Sequence, residues 1–304
     1  MAFAMNFGRS ISCGAPFRLG AALFALMGVL ALCQQAMAAA GSGPARLALG
    51  DDYTFVVLSD SRSGDRVYAK VVDQAARRAP RFVVHVGDVL PTMGDKKQWE
   101  RFQSISEPLR VPFYIAPGNH DMEDARTKAL WKGLVDLPGN ETYYSFTAGD
   151  DLFVVLSSHE PNYRWRIDRR QLEWLKRTLD PQRYEHQFVF VHHPMFLWKG
   201  AFHENESLDR YPHERDDLHH VFVDKQVDIV FHGHEHGYRR MDKDGVRYMI
   251  AAGAGSPLYN RASFHHFVLL KVAGPLVEVK VIDKEGVLRD EFMIMKSSKV
   301  KGER

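Results

Sequence analysis

Residues 54–60 read TFVVLSD, a short apolar run with β-branched members that ends in a carboxylate. Such a run predicts a buried strand. The chain repeats this arrangement twice, with strands predicted at 82–86 and 112–116, and residues at helical spacing fill the intervals at 65–78 and 97–109. The resulting β-α-β-α-β order predicts parallel strands whose carboxyl ends lie along one edge of a sheet.

The second half of the chain continues with both element types. We predict a hairpin at 143–157, helices at 167–179 and 214–225, strands at 187–191 and 227–231, and several short strands over 246–295. Strands in both halves with helices between them favour an α/β fold in which two sheets pack together, flanked by helices. The composition, 45% hydrophobic and 26% charged, is that of a globular protein with a substantial core.

Residue types that ligate metals stand directly after five of the predicted strands. They are Asp60, Asp88, Asn119, His192, His234 and His236. Ligands of open α/β sheets bind beyond the carboxyl ends of the strands, so we expect these side chains to converge on one site. Each residue alone is more often a cap, a turn residue or a core histidine, but their order and placement together predict a metal centre. Oxygen and imidazole ligands without thiolate suit Mn, Fe, Zn or Co better than Ca or Mg.

The N-terminal segment differs from the rest of the chain. Arg9 and Arg18 are the only charged residues among the first forty, an apolar run of fourteen residues follows at 19–32, and residues 36–38 read AMA. This arrangement predicts a secretory signal peptide over residues 1–38 and therefore a periplasmic or secreted protein. The apolar run is shorter than the ~20 residues that span a bilayer, so we expect no stable membrane span after processing.

Both cysteines, Cys13 and Cys33, lie in the predicted signal peptide, so the mature protein would have no disulfide and no thiolate ligand. A lipidated cysteine normally follows a small residue, and Leu32 therefore disfavours a lipoprotein anchored at Cys33. Removing Arg9 and Arg18 from the 40 basic residues leaves 38, which balance the 38 acidic ones. A neutral mature chain predicts no nucleic-acid partner.

We expect the mature chain to form one domain. Residues 39–53 are predicted to be a flexible leader, residues 54–295 the catalytic domain, and residues 296–304 a basic tail with no function implied. All 15 histidines lie after the predicted signal peptide. Because histidine is the commonest nitrogen ligand of transition metals, this bias agrees with the predicted metal centre.

The motifs at the strand ends resemble those of a known family. Gly118-Asn119-His120-Asp121 and Gly233-His234-Glu235-His236 are its most specific motifs, and a Gly-Asp pair at 87–88 and a lone histidine after a strand accompany them. The chain resembles the calcineurin-like metallophosphoesterases, which include purple acid phosphatases and cyclic-nucleotide phosphodiesterases. The resemblance runs from about Thr54 to Tyr259. It implies a four-layer α-β-β-α sandwich with two mixed β-sheets.

The resemblance also implies roles for the strand-end residues. One metal ion would be held by Asp60 and His236, the second by Asn119, His192 and His234, and both by a bridging Asp88. His193 would then pack against the ligands or support them. The two ions are expected to be divalent or trivalent transition-metal ions, Mn, Fe, Zn or Co.

The implied reaction is hydrolysis of a phosphate mono- or diester by a metal-bound hydroxide. His120 would be the general acid or a phosphate contact, and Asp121 would orient it or cap a helix. The substrate would be a small-molecule or macromolecular phosphate ester. The long loop at 194–211 is the expected substrate wall, with His203 as a candidate substrate-binding residue.

One position departs from the family pattern, because Arg62 stands where a metal-ligating histidine is expected, two residues after Asp60. The tyrosine that replaces this ligand in purple acid phosphatases corresponds here to Pro91. Arginine cannot ligate a metal, and three interpretations remain open. Water fills the gap and Arg62 clamps the substrate phosphate, or one of the two metals binds weakly, or the centre is inactive and the protein binds or senses a phosphate ligand. A plain structural alternative is an ion pair between Arg62 and Asp65 or another nearby acid.

Overall fold

The computed structural model describes residues 45–50, 52–92 and 95–296. The predicted signal peptide, the first part of the predicted leader and residues 297–304 of the predicted tail lie outside these described residues. None of the helices in the described part of the chain is long and apolar enough to cross a membrane.

The described residues form fifteen strands and five α-helices. The strands are β1 (Ala45–Leu47), β2 (Asp52–Leu58), β3 (Phe82–His85), β4 (Phe113–Ile115), β5 (Tyr144–Ala148), β6 (Asp151–Leu156), β7 (His159–Glu160), β8 (Tyr163–Arg164), β9 (Gln187–Val191), β10 (Ile229–His232), β11 (Tyr238–Lys243), β12 (Val246–Ala251), β13 (His266–Ala273), β14 (Leu276–Asp283) and β15 (Leu288–Met295). The α-helices are α1 (Asp65–Ala76), α2 (Lys96–Ser106), α3 (Ala125–Leu134), α4 (Arg169–Thr178) and α5 (Pro212–Asp224), with 3-10 turns at Glu107–Leu109 and Leu208–Arg210.

Two mixed sheets form the centre of the molecule. The seven-stranded sheet has the order β1-β5-β6-β9-β10-β12-β11, and the six-stranded sheet has the order β15-β14-β13-β2-β3-β4. The strands β2, β3 and β4 pair in parallel, as the β-α-β-α-β order predicts, and so do β6, β9, β10 and β12 in the other sheet. The predicted α/β fold with two mixed sheets is confirmed.

The main hydrophobic core contains a cluster of phenylalanine rings contributed by both sheets. Phe55 of β2 stacks on Phe82 of β3 at a centroid distance of 5.0 Å. Phe153 of β6 meets Phe55 edge-on at 5.2 Å, and Phe188 of β9 lies 5.0 Å from Phe153. All four rings are fully buried. Because aromatic pairs contribute beyond the area that they bury, this cluster fixes how the two sheets face each other.

A second core cluster covers the other face of the seven-stranded sheet. Along β6, Phe153 and Val155 belong to the main core, whereas Leu152 and Val154 pack with residues of the second cluster. This alternation follows the two-residue period of a strand. The second cluster includes Leu175 of α4 and residues of α5, so helices cover this face of the sheet.

The first described strand lies inside the segment that the sequence predicts to be a flexible leader. Residues 45–47 pair in parallel with residues 146–148 of β5 at the edge of the seven-stranded sheet. The next strand, β2, begins at Asp52, two residues before the predicted start of the domain. A three-residue edge strand has too few residues to show a periodic pattern, so sequence reasoning could not detect it.

Replacing a ring of the aromatic cluster tests this account of the core. We expect Phe82→Ala to lower the free energy of unfolding by about 3–5 kcal/mol, because it removes a fully buried ring and leaves a cavity. Phe202→Ala is the matched control, since that ring is 69% exposed and should cost less than about 1 kcal/mol. Chemical denaturation measures both. Equal losses would contradict the assignment of Phe82 to the core.

Candidate metal centre

The predicted ligands converge where strand ends of the two sheets meet. Asp60 and Asp88 follow β2 and β3 of the six-stranded sheet, while His192 and His234 follow β9 and β10 of the seven-stranded sheet. The Nε2 atom of His192 lies 3.4 Å from Oδ1 of Asp88, so a contact joins the two sheets at this edge. All four side chains are buried.

The backbone turns sharply at these positions. Asp60, Asp88 and His234 have φ values of 60°, 55° and 68°, in the left-handed region that non-glycine residues seldom occupy. Gly87 has a φ of 93°, and a Cβ atom at this position would come within 2.6 Å of His192 Nδ1. A Cβ atom at Gly233 would come within 2.3 Å of the Ser59 hydroxyl. Strained residues cluster at functional sites, where the surrounding structure holds them in place.

The first candidate ligand group consists of Asp60, Asp88 and His236, whose ligand atoms lie within 4.8 Å of one another. His236 donates from Nδ1 to the carbonyl of Pro257 at 2.8 Å, which leaves Nε2 facing Asp60 Oδ1 at 3.3 Å. Burial opposes the ionisation of Asp60, but the neighbouring imidazoles of His236 and His192 hold its pKa below the usual value. An ionised carboxylate and a fixed imidazole tautomer are what a metal site needs.

Tyr259 packs against this first group, a contact that the sequence did not predict. Its ring stacks on the His236 ring at a centroid distance of 4.2 Å, and its hydroxyl lies 3.4 Å from His236 Nε2. The motif at 233–236 gives no sign of this contact, because Tyr259 reaches the site through the loop that follows β12.

The second candidate group is built around His192. Its Nδ1 donates to the carbonyl of Val86 at 2.7 Å, and its Nε2 lies 3.1 Å from Asn119 Oδ1. His234 has its ring centre 5.3 Å from that of His192. Burial lowers the pKa of His234 well below the usual value, which keeps the imidazole neutral. A neutral imidazole is the form that ligates metals.

A buried ring nitrogen of His234 without a hydrogen-bond partner indicates that a cation fits beside it. The Nε2 atom of His234 is buried and has no hydrogen-bond partner among the described residues. Buried polar atoms without a partner are rare in native structures and call for an explanation such as an ion. The residues present therefore fit the metal centre that the sequence predicts.

The structure adds His193 to the candidate ligands. His192, His193 and His234 offer ligand atoms within 4.8 Å of one another, and the His193 and His234 rings are 4.4 Å apart. The hydroxyl of Ser158 lies 2.8 Å from His193 Nδ1, whereas Nε2 is buried and has no partner among the described residues. From the family resemblance, we predicted only a packing or supporting role for His193. Neighbouring residues alternate between the two faces of a strand, but β9 ends at Val191, so that rule does not separate His192 from His193.

His120 lies at the edge of the centre, with a side chain that is 34% exposed. Its backbone N–H donates to Asp88 Oδ1 at 3.1 Å, and its ring donates from Nδ1 to the carbonyl of Pro91 at 2.9 Å. This second bond leaves Nε2 directed toward the centre, 3.9 Å from Asp88 Oδ2.

Asp121 is fully buried and organises the backbone of the site. Its carboxylate accepts hydrogen bonds from the amides of Asp88, Val89 and Gly118 at 2.8, 3.1 and 2.9 Å. Burial and the charge of Asp88 raise the pKa of Asp121 to about 7. We predicted that Asp121 orients the His120 ring, but all three of its hydrogen bonds come from backbone amides and none from that ring. The alternative role of helix cap is also wrong, since Asp124 caps α3.

Arg62 forms its ion pair with the predicted bridging residue. Its Nε lies 3.0 Å from Asp88 Oδ2, and its side chain is 18% exposed. Asp65, the partner considered from the sequence, pairs instead with Arg101 at 2.9 Å. The two terminal nitrogens of Arg62 have no hydrogen-bond partner among the described residues. The guanidinium therefore stands inside the site with two nitrogens free to bind an anion.

The loop at 194–211 brings His203 to the same place. The ring centres of His203 and His234 are 4.0 Å apart. Glu235 accepts from the amides of Phe202 and His203 at 2.8 and 2.9 Å, and from Nδ1 of His203 at 3.2 Å. Burial opposes the ionisation of Glu235, but the bonds from His203 and from the Phe202 amide keep its pKa lowered. Glu235 is thus a positioning residue that the sequence did not reveal, because the middle of the motif at 233–236 shows no requirement for a carboxylate.

Comparison with known proteins agrees with this site. A family model described as calcineurin-like phosphoesterase matches residues 53–238. This match covers more than half of the chain, and the protein therefore belongs to the calcineurin-like phosphoesterase family. The resemblance seen in the sequence motifs is confirmed.

Named relatives fall in the same group. The chain is 28% identical to the serine/threonine-protein phosphatase CPPED1 of Rattus norvegicus over 52% of its own length and 54% of that protein. It is 27% identical to "Probable inactive purple acid phosphatase 1" of Arabidopsis thaliana, over 52% of its own length and 29% of that protein. The structure of purple acid phosphatase PPD1 from yellow lupin (Lupinus luteus) matches with a TM-score of 0.69 and 19% identity, covering 81% of this chain and 54% of that one. The chain thus spans about half or less of these relatives. Each of these relatives is named as a phosphatase.

A glycine substitution tests whether the close approach at the strand ends matters for metal binding. We expect Gly87→Ala to reduce the metal content of the purified protein, because the added Cβ would meet His192 Nδ1 and the Gly118 amide at 2.6 and 2.7 Å. Gly274→Ala is the control, since Gly274 also has a positive φ but no atom lies within 4 Å of its added Cβ. Elemental analysis measures the metal, and wild-type metal content in Gly87→Ala would refute the expectation.

Proposed function

We propose that this protein hydrolyses phosphate mono- or diesters at a centre of two divalent or trivalent transition-metal ions, Mn, Fe, Zn or Co. The observation that carries the proposal is the position of Asp88. This one carboxylate belongs to the group with Asp60 and His236, and it also lies 3.4 Å from His192 of the second group. A shared carboxylate is the arrangement that two neighbouring ions require.

The ligands divide into two sets around Asp88. Asp60 and His236 would hold the first ion, and Asn119, His192 and His234 would hold the second. When bound, two such ions polarise the phosphate and lower the pKa of a coordinated water to about 7. The protein contributes buried side chains and imidazoles fixed by backbone carbonyls, at Val86 for His192 and at Pro257 for His236.

His120 is the proposed general acid. The carbonyl of Pro91 accepts from Nδ1, so the imidazolium would carry its second proton on Nε2, on the side that faces Asp88. From there the proton passes to the leaving oxygen as the bond between phosphorus and oxygen breaks. The partial exposure of the side chain allows solvent to restore the proton.

Arg62 is the proposed clamp on the substrate phosphate. While Nε holds Asp88, the two terminal nitrogens are free among the described residues to bind phosphate oxygens. His203, 4.0 Å from His234 between ring centres, is the second proposed substrate contact. Glu235 fixes its tautomer by accepting from Nδ1, so that Nε2 is the nitrogen available to the substrate.

A second candidate function is binding or sensing of a phosphate ligand without turnover. It is favoured by one specific observation, the ion pair between Arg62 and Asp88, because a guanidinium stands where the family motif supplies a ligand histidine. One of the relatives, "Probable inactive purple acid phosphatase 1" of Arabidopsis thaliana, is itself named as inactive.

Export is part of the proposal. The sequence of residues 1–38 supports a signal peptide cleaved after Ala38 and a periplasmic or secreted mature protein. N-terminal sequencing of the protein recovered from the periplasm or medium would begin at Ala39. Recovery of a chain that still begins at Met1 from the cytoplasm alone would refute export.

Two substitutions test hydrolysis. We expect Asp88→Asn to abolish turnover of 4-nitrophenyl phosphate and bis(4-nitrophenyl) phosphate, because both ions lose their shared ligand. We expect His120→Ala to lower kcat by about 10²–10⁴ while metal content stays unchanged. The loss should be greater for an ester with a more basic leaving alcohol, since such an alcohol depends more on the proton. His220→Ala, at an exposed histidine, is the control.

Steady-state kinetics with metal analysis gives the readout. Turnover by Asp88→Asn and His120→Ala at the wild-type rate would exclude the proposed mechanism.

Substitutions at Arg62 separate the two candidate functions. If Arg62 is a clamp, Arg62→Lys should raise KM by about ten-fold, because lysine keeps the charge but loses the paired donors. Arg62→His should then also be less active than wild type. If the protein only binds its ligand, the wild type should show no turnover with any added metal, and Arg62→His should gain activity. Kinetics across a set of added metals distinguishes the two outcomes.

A further inference from the structure

A cavity of about 370 Å³ opens beside the candidate metal centre. Its walls come from the loop after β2, the first turn of α1, the loop after β3 and one face of α2. Two residues of the lining, Arg62 and Pro91, also contact the centre itself. Arg62 pairs with Asp88, and the carbonyl of Pro91 accepts from His120.

Arg62 connects the cavity to the proposed phosphate position, because this one residue both pairs with Asp88 and lines the cavity. An organic group attached to a phosphate on Arg62 can therefore extend into the cavity. His120 does not line the cavity, but the carbonyl that fixes its ring belongs to the lining residue Pro91.

The wall of the cavity is mainly apolar. Tyr68 of α1 and Phe102 of α2 stack with ring centres 5.5 Å apart and planes within 6°. Leu90 and Ile105 complete this apolar wall. Binding sites for small molecules have volumes of roughly 300–1,000 Å³, so a cavity at the lower end suits a single ring.

The charges around the cavity favour an anionic group. Three cations line it, Arg62, Lys97 and Arg101, against one carboxylate, Asp65. Arg62 pairs with Asp88 and Arg101 with Asp65. Lys97 forms no ion pair with any residue that the structure describes, and it lies exposed on the first turn of α2. Its ammonium group is thus available to a negative charge on the ligand.

We propose that this cavity binds the leaving alcohol of the substrate and selects an aryl-sized ring that carries an anionic substituent, held by Lys97. The inference rests on the proposed function and names the substrate class of that site. Hydrolysis breaks the bond between phosphorus and the aryl oxygen, and that oxygen takes the proton of His120. Water forms the new bond to phosphorus, and the proton that it releases returns to His120 through solvent.

The test compares two esters that differ in charge alone, 4-carboxyphenyl phosphate and 4-carbamoylphenyl phosphate. We expect the ratio of their kcat/KM values to favour the carboxylate in wild type and to fall about ten-fold in Lys97→Gln, the effect of one charge-assisted hydrogen bond. Comparing ratios between variants cancels the intrinsic reactivity of the two esters. Lys96→Gln is the matched control, because Lys96 is the neighbouring lysine, pairs with Glu100 and lies outside the lining. An unchanged ratio in Lys97→Gln would overturn the inference.

A second measurement keeps the inference separate from turnover. Saturation-transfer NMR of the product 4-hydroxybenzoate on the full protein should show binding in wild type and Lys96→Gln. The signal should weaken in Lys97→Gln and disappear in Ile105→Trp, which fills the cavity. If wild type hydrolyses no ester with any metal but still binds 4-hydroxybenzoate in this pattern, the proposed function fails and the binding site stands. If wild type hydrolyses esters but gives no saturation transfer, the cavity assignment fails and the proposed function stands.

Discussion

The structure around the site depends on the buried carboxylate of Asp88. Transferring an ionised carboxylate from water into a protein interior costs several kcal/mol unless donors and cations surround it. Here the Arg62 guanidinium and the His120 amide donate to it, and Nε2 of His192 lies 3.4 Å away. These partners come from both sheets and from three different loops. Asp88 keeps these partners only if the two sheets hold those loops in one arrangement.

The core supplies that arrangement through the same strands. Phe55 and Asp60 lie on and just after β2, and Phe188 and His192 lie on and just after β9. The rings of Phe55 and Phe188 meet edge-on at 5.4 Å, so packing between the sheets is transmitted along each strand to a ligand a few residues further on. The left-handed backbone at Asp60, Asp88 and His234 costs of order 1–3 kcal/mol each, and a well-packed core offsets this strain. The strained backbone at these three residues is therefore maintained by the packing of the core.

Much of the candidate site was predictable from the sequence because the proposed ligands directly follow strands. A strand is identified by its local pattern, and its end fixes where the next residue lies, so Asp60 and Asp88 could be placed from the sequence. Contacts that depend on how loops fold were not predictable. Tyr259 and Glu235 act through tertiary contacts. Two of the three hydrogen bonds of Asp121 join residues that are 33 and 32 positions apart in the sequence. Local patterns hold no information about such pairings.

Arg62 gives the centre a charge balance that its family motif does not imply. Placed 3.0 Å from Asp88, its positive charge repels any cation that shares this carboxylate and so weakens metal binding. An anionic phosphate next to the same guanidinium offsets that repulsion. In the proposed mechanism, metal and phosphate binding would therefore be linked, and because linkage is reciprocal each would strengthen the other by the same factor. With an arginine in place of a histidine ligand, the fold would supply one fewer ligand and one more positive charge, so occupancy of the proposed centre would depend on the substrate.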